Sequence, residues 1–171
     1  YDLPQEQVFN IVIPMAGRGQ RWKDAGYIFP KPLIEIKNKS MIQLVLENIN
    51  LNGNYIFICL KEHIEKFSLD SVLKNLKPDC KIITIDEITD GAASTILKSK
   101  EFINKDEPLI IANCDQLINW SSSRFIDFIN KKDPDGALVT YTSTHPRNSF
   151  VKTDNENTII EIAEKKPISN I

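Results

Sequence analysis

The chain has 171 residues, of which 42% are hydrophobic and 26% are charged, and its formal net charge at pH 7 is −2. This length fits about one globular domain, and the composition excludes a chain that is disordered throughout. A charge this close to zero argues against broad electrostatic binding of nucleic acid or of an anionic membrane surface. No apolar run approaches the roughly 18 residues of a membrane-spanning helix.

The hydrophobic pattern predicts strands that alternate with helices through most of the chain. Short apolar runs are typical of strands buried on both faces. In chain order, strands are predicted at Val8–Pro14, Leu33–Ile36, Tyr55–Leu60, Lys81–Ile85, Leu109–Ala112, Ala137–Tyr141, Phe150–Lys152 and Ile159–Ala163. Helices are predicted after the N-cap residue Ser40, between Glu62 and Leu76, over Ala92–Ile103, and after Ser121–Ser123.

This alternation indicates an α/β fold, with a Rossmann-like, mainly parallel sheet and helices on both faces. Such sheets bind ligands beyond the carboxyl ends of their strands. We therefore predict that three loops lie close together, Met15–Lys31, Asp86–Gly91 and Asn113–Trp120. No repeat or linker divides the sequence, so we expect a single domain over residues 1–171. Its last strands have no helical cover, and we therefore expect the domain to lack its C-terminal part.

The first loop begins with the sequence Met15-Ala-Gly-Arg-Gly-Gln-Arg21. Gly17 and Gly19 remove side chains where a backbone approaches a ligand, and successive N–H groups there can form an anion-binding nest. Arg18 and Arg21 add positive charge that suits phosphate. Neither a Walker A motif nor GxGxxG is present, and a glycine turn with solvated arginines explains these residues equally well on their own.

Two prolines flank Lys31 in Phe29-Pro-Lys-Pro-Leu33. They fix the backbone, so the lysine ammonium has a predictable position. A pre-set lysine after a glycine nest favours a site for a polyphosphate. The alternative is a stiff loop with an exposed lysine.

Asp115 follows the predicted strand that ends at Ala112. A carboxylate at the carboxyl end of a strand, beside a phosphate loop, suits Mg²⁺, which takes one or two carboxylates plus phosphate oxygens and water. The alternative is an aspartate that caps a turn. The neighbouring Cys114 has no His–Asp arrangement to activate it, and it is read as a packed thiol. The three cysteines show no metal-binding spacing, which favours free thiols in a reducing, cytoplasmic compartment.

Together these motifs resemble the sugar-phosphate nucleotidyltransferases, the pyrophosphorylase-type enzymes that make nucleotide sugars. The resemblance implies the nucleotide-diphospho-sugar transferase type of fold. It also implies one reaction, in which a phosphorylated sugar-like acceptor attacks the α-phosphate of an NTP and pyrophosphate leaves. The signature occurs in the order of the family as Gly17–Arg21, Pro30–Leu33, Lys39–Ile42, Asp90–Ser94, Ala112–Asp115 and Glu164–Lys165.

The resemblance assigns the phosphate-binding roles to the first loop. Gly17, Arg18 and Gly19 would cradle the triphosphate. Arg21 and Lys31 would neutralise the charge that grows on the phosphates in the transition state.

Other roles fall to residues further along the chain. Asp115 would hold Mg²⁺, the implied cofactor, and Lys165 would bind the phosphate of the acceptor. A solvated strand end is the alternative for Lys165. The base pocket would be lined by Ala16, Gly91 and Ala92.

Ile13–Gly17, Ala25–Tyr27 and Thr144–Arg147 are similar to a branch found in capsule and lipopolysaccharide gene clusters. That similarity favours a cytidylyltransferase that uses CTP to make surface polysaccharide precursors. The family usually has a second metal-binding aspartate beyond Glu164–Lys165, and the sequence ends before that point. A non-catalytic nucleotide-binding regulatory paralogue is therefore the main alternative, and a homo-oligomer is compatible with either function.

Overall fold

A computed structural model describes residues 7–17, 19, 24–26, 28–146, 148–166 and 168. The chain forms two compact units, residues 1–122 and 123–171. The single domain expected over residues 1–171 stays a prediction. No helix among the described residues is long and apolar enough to cross a membrane.

A central sheet of four parallel strands dominates the first unit, in the order β5-β4-β1-β6. The prediction of an α/β fold with a mainly parallel sheet is confirmed. The strands of this unit are β1 Phe9–Pro14, β2 Glu35–Ile36, β3 Lys39–Ser40, β4 Gly53–Leu60, β5 Lys81–Ile85 and β6 Leu109–Ile111. Because β4 and β6 flank β1 on opposite sides, the strand order reverses there, and right-handed crossovers then place the intervening helices on opposite faces. Such a reversal marks the crevice where open α/β sheets bind ligands.

The two central strands form the core because their side chains are almost entirely apolar. Val12, Ile56 and Ile58 are fully buried and pack against partly buried residues of β5. The strands approach each other closely at Gly53, where an added Cβ would lie 2.2 Å from the carbonyl oxygen of Phe9. The glycine thus permits the pairing of β1 with β4 at this point.

Among the described residues, four helices lie between these strands: α1 Met41–Ile49, α2 Lys61–Phe67, α3 Leu69–Leu76 and α4 Ala92–Leu97. Ser40 caps α1 as predicted, since its Oγ accepts a hydrogen bond from the Gln43 amide at 3.3 Å. The single helix predicted between Glu62 and Leu76 is wrong. Ser68 adopts a left-handed φ of 52°, which ends α2 and starts α3 in a new direction.

Two further boundaries differ from prediction. The helix predicted over Ala92–Ile103 ends at Leu97 and is followed by a 3₁₀ turn at Lys100–Phe102. The Ser99 hydroxyl donates to the Ile96 carbonyl at 2.6 Å, a local bond that competes with a continuing helix.

The strand predicted at Leu33–Ile36 is reduced to β2, which pairs with β3 in an antiparallel hairpin. Its first residue instead ends a 3₁₀ turn at Lys31–Leu33. Pro32 explains the change, because proline suits the first turn of a helix and cannot donate to a strand ladder.

The second unit contains most of α5 Ser122–Lys132 and an antiparallel pair, β7 Ser149–Thr153 and β8 Ile159–Glu164. These three elements were predicted. The strand predicted at Ala137–Tyr141 is wrong, because the structure has no strand or helix there. Leu138 and Val139 are each 54% exposed, and no described strand supplies the backbone partners that a strand needs.

Candidate active site

One cavity of about 340 Å³ lies at the carboxyl ends of β1 and β6, at the reversal of strand order. The prediction that the three loops meet there is confirmed. The cavity is lined from the first loop by Met15, Ala16, Gly17, Gly19 and Lys31, from the second by Ile88, Thr89 and Gly91, and from the third by Asn113, Cys114 and Asp115. Ala92 and Thr95 of α4 complete this wall.

The charged part of the cavity is an ion pair between Lys31 and Asp115. The Lys31 ammonium donates to the Asp115 carboxylate at 2.9 Å, and each side chain is 36% exposed. Lys31 is held in the 3₁₀ turn, where the Leu33 amide donates to the Pro30 carbonyl at 2.9 Å. The pair therefore joins two loops from opposite sides of the strand reversal.

Glycines form the parts of the cavity wall that have no side chain. Gly19 has a φ of +58°, a conformation that favours glycine. Gly17 and Gly91 do not have a φ in the left-handed region, and an added Cβ at either would meet no atom within 4 Å. Packing against other parts of the protein therefore does not explain these two glycines.

The part of the wall formed by the second loop and α4 is uncharged and internally hydrogen-bonded. The Gly91 carbonyl accepts from the Thr89 hydroxyl at 3.0 Å, from the Thr95 hydroxyl at 3.2 Å and from the Thr95 amide at 3.0 Å. The two hydroxyls also contact each other. Sequence reasoning missed both threonines, although hydroxyl side chains on either side of a helix start are a recognisable capping signal.

Asn48 of α1 is a third residue that sequence reasoning missed. Its side-chain amide donates to the Ile118 carbonyl at 2.8 Å and accepts from the Ile118 amide at 2.9 Å. Its backbone carbonyl accepts from Trp120 Nε1 at 2.8 Å. These bonds hold the segment that carries Asp115 against α1. No local signal could have identified them, because Asn48 and Ile118 are 70 positions apart.

Cys114 lies beside Asp115 in the cavity wall. Burial raises the pKa of the Cys114 thiol to about 12, and the Asp115 carboxylate adds to this effect. The thiol is therefore protonated near neutral pH, in keeping with the prediction that it is a packed thiol. Cys59 and Cys80 are also free thiols, both buried.

The structure does not describe two of the predicted site residues, and a third belongs to the second unit. Arg18 and Arg21 lie outside the residues that the structure describes. Lys165 lies in the second unit, where its ammonium is 2.9 Å from the Glu164 carboxylate and its side chain is 68% exposed. A hydrogen bond from Lys165 holds the pKa of the Glu164 carboxyl below its ordinary value.

Asp115 is the carboxylate that could take part in binding a metal in the cavity. Within the described parts of the chain, no group of three or more His, Cys, Asp or Glu side chains forms a complete metal site. A half-exposed carboxylate still fits Mg²⁺, which completes its shell with phosphate oxygens and water. The Asp115 carboxylate already pairs with one cationic group that lines the cavity, the Lys31 ammonium at 2.9 Å.

Comparison with known proteins agrees with this geometry. A family model described as nucleotidyl transferase matches residues 11–169. Among curated proteins, the bifunctional protein GlmU of Methanocaldococcus jannaschii is 28% identical over 165 residues, which is 95% of this chain. The chain spans 38% of the length of that relative.

Solved structures show the same fold. A proposed glucose-1-phosphate thymidylyltransferase from Bacillus anthracis has a TM-score of 0.72 at 19% identity, and the match covers 93% of this chain and 65% of that one. The inositol-1-phosphate CTP transferase from T. maritima has a TM-score of 0.68 at 16% identity, with 96% and 67% covered. The fold and the family resemblance inferred from the sequence are both confirmed.

Proposed function

Because the chain belongs to the nucleotidyl transferase family, we propose that its cavity binds a nucleoside triphosphate and that the protein is a nucleotidyltransferase. The acceptor is a sugar 1-phosphate or a similar phosphorylated molecule, and pyrophosphate is released. One observation carries the proposal. The Lys31 ammonium and the Asp115 carboxylate lie 2.9 Å apart in a cavity at the strand reversal, which supplies a cation for phosphate and a ligand for a metal.

The distribution of charge in the cavity supports one orientation of the nucleotide. The triphosphate lies along Gly17, Gly19 and Lys31, where the wall has no bulky side chain and carries a positive charge. Arg18 and Arg21 add to that charge. The base lies against the uncharged wall at Gly91 and Ala92, with Ala16 nearby.

Asp115 is the residue that would hold Mg²⁺. When bound, Mg²⁺ neutralises phosphate charge and orients the phosphates for in-line attack. Lys31 then binds phosphate oxygens in place of the Asp115 carboxylate. The two side chains thereby keep the triphosphate in one orientation, and this positioning is the main demand of the chemistry.

The transfer step needs no dedicated general base. A phosphate oxygen of the acceptor, already anionic at pH 7, forms the new bond to the α-phosphorus. The bond from the α-phosphorus to the bridging oxygen breaks, and pyrophosphate leaves with that electron pair. From the sequence resemblance, Lys165 is predicted to bind the acceptor phosphate. Lys31 and Arg21 stabilise the charge that develops during the step.

We propose that the nucleotide is CTP and that the product is a precursor of a surface polysaccharide. Both rest on the sequence resemblance. The T. maritima relative is a CTP transferase and the B. anthracis relative a proposed thymidylyltransferase, so the printed names of the relatives support a pyrimidine nucleotide.

Isothermal titration with CTP, UTP, dTTP, GTP and ATP, each with Mg²⁺ and with EDTA, tests the nucleotide site. We expect one pyrimidine triphosphate to bind tightest, and to bind more tightly with Mg²⁺ than with EDTA. Release of pyrophosphate on addition of a panel of sugar 1-phosphates then tests the transfer. Binding without release would favour the non-catalytic paralogue.

Lys31→Met and Lys39→Met are a matched pair of variants for this test. Lys39 also has an ion pair, with Glu47 at 2.7 Å, and a comparable exposure, but it does not line the cavity. Equal nucleotide affinity in the two variants would contradict the proposed site.

A further inference from the structure

Asp115 lies in a segment, residues 113–120, that contains no helix or strand. The segment begins just after β6, where the Ala112 amide donates to the Val12 carbonyl at 3.1 Å. Three residues beyond Asp115, the backbone of Ile118 is held by Asn48. Asp115 therefore lies midway between two fixed points, one on the sheet and one on α1.

Asn48 can hold the segment firmly because α1 is itself fixed. Four side chains of that helix are buried in the core: Ile42, Val45, Leu46 and Ile49. The Asn48 side-chain amide uses both its donor and its acceptor on one residue, Ile118, at 2.8 Å and 2.9 Å. This pair of hydrogen bonds resembles the pair that two residues exchange between antiparallel strands. Trp120 Nε1 also donates to the Asn48 backbone carbonyl at 2.8 Å.

We propose that Asn48 is a positioning residue for Asp115. By fixing Ile118, it holds the Asp115 carboxylate where a cation in the cavity can reach it. This inference rests on the proposed function, because it assigns Asn48 to the metal-dependent part of triphosphate binding.

The nucleotide affinity has two parts, one that depends on Mg²⁺ and one that comes from direct contacts between the protein and the triphosphate. Mg²⁺ demands near-ideal coordination geometry, so a carboxylate on a loosened loop loses much of its contribution. Groups that orient a metal ligand typically change metal affinity by about 10–100-fold when they are mutated. Gly17, Gly19 and Lys31 lie in the first loop. The hydrogen bonds that join Asn48 to Ile118 and Trp120 do not involve that loop. The direct contacts of the first loop with the triphosphate should therefore survive the loss of Asn48.

The test measures the affinity of the 171-residue chain for its preferred triphosphate, with EDTA and with Mg²⁺. Asn48→Ala removes both side-chain bonds, and Asn48→Asp keeps the volume and the acceptor but removes the donor to Ile118. Asn54→Ala is the matched control, because the Asn54 amide donates to the Phe102 carbonyl at 3.2 Å and Asn54 does not line the cavity.

In both Asn48 variants we expect the gain in affinity from Mg²⁺ to fall about tenfold, while the affinity in EDTA stays within about twofold of the wild type. Asn54→Ala should keep the full gain. Hydrogen exchange should also show faster exchange of the Ile118 amide in Asn48→Ala, because that amide loses its acceptor.

Two results would overturn the inference. If affinities in EDTA and in Mg²⁺ fall together, Asn48 is only structural; if neither changes, it does not position Asp115. If Asn48→Ala is unfolded, the affinities of Asn48→Asp in EDTA and in Mg²⁺ test the inference in the same way. A wild-type chain whose triphosphate binding does not respond to Mg²⁺ would instead refute the proposed metal site itself, and this result is seen before any variant is made.

Discussion

The Lys31 ammonium and the Asp115 carboxylate are in contact at 2.9 Å although 84 positions separate the two residues in the sequence. Each neutralises the charge that the other would offer to a ligand. Without a triphosphate, Mg²⁺ must displace the Lys31 ammonium to reach the Asp115 carboxylate. Without Mg²⁺, a triphosphate is repelled by that carboxylate. A metal-bound triphosphate gives each side chain a new partner of opposite charge. The pair should therefore couple the binding of metal and triphosphate.

Replacing Asp115 by Asn should have opposite effects on the two forms of the nucleotide. In EDTA, the triphosphate should bind about twofold to fivefold more tightly, because the competing carboxylate is gone and exposed ion pairs contribute about 0.2–1 kcal/mol. With Mg²⁺, the extra affinity seen in the wild type should disappear. Isothermal titration under both conditions measures these effects. Glu47→Gln, which removes the carboxylate that pairs with Lys39, should change neither value.

Lys31→Met should weaken binding of the triphosphate by about 1.5–3 kcal/mol, the usual contribution of a hydrogen bond to a charged group. The same variant should bind Mn²⁺ alone more tightly than the wild type does, because no ammonium occupies the Asp115 carboxylate. Titration of Mn²⁺ monitored by electron paramagnetic resonance measures that second effect. If metal affinity falls instead, the ion pair does not compete with the metal.

Gly91→Val should abolish nucleotide binding without destabilising the protein. Gly91 lines the cavity and an added Cβ there meets no protein atom within 4 Å, so a valine side chain would take up open space at the cavity wall. We expect the melting temperature without ligand to stay within about 2 °C of the wild type, since surface substitutions usually cost less than 0.5 kcal/mol. The thermal shift on adding nucleotide should be lost. A normal shift would place the nucleotide elsewhere.

The parts of the fold that could be predicted are those fixed by short-range patterns. The apolar run at Phe9–Pro14 requires burial on both faces, and parallel strands of that kind bring their following loops to one edge. The meeting of Lys31 with Asp115 in one cavity follows from that rule together with the two prolines that fix the lysine backbone.

What could not be predicted depends on contacts between distant residues or on single backbone torsions. The bond of Asn48 to Ile118 requires that α1 and the loop after β6 are already placed. The left-handed φ of Ser68 breaks a helical pattern that continues through it in the sequence. Ala137–Tyr141 has the composition of a strand, but a strand also needs an adjacent partner, and the pattern of one segment does not reveal that partner.

The thiols of Cys59 and Cys114 should react slowly with iodoacetamide near pH 8, because the reactive form is the thiolate and burial raises both pKa values to about 12. These folded-state values exceed the ordinary value of a thiol, so the protonated thiols favour the folded state below about pH 9. That contribution is lost as the pH rises towards 12. Mass spectrometry after timed alkylation, with and without denaturant, checks the reactivity. Rapid labelling of the fully buried Cys59 in the folded protein would contradict its burial.

Gly53→Ala should destabilise the first unit although alanine usually favours a folded chain. The new methyl group would lie 2.2 Å from the Phe9 carbonyl oxygen, so β1 and β4 must separate where they begin to pair. Overpacking of this kind costs about 1–3 kcal/mol. Gly136→Ala is the control, because an added Cβ there meets nothing within 4 Å and reduced freedom of the unfolded chain should leave stability unchanged or slightly increased. Urea unfolding monitored by circular dichroism measures both, and equal midpoints for the two variants would show that the strands do not approach as closely as described.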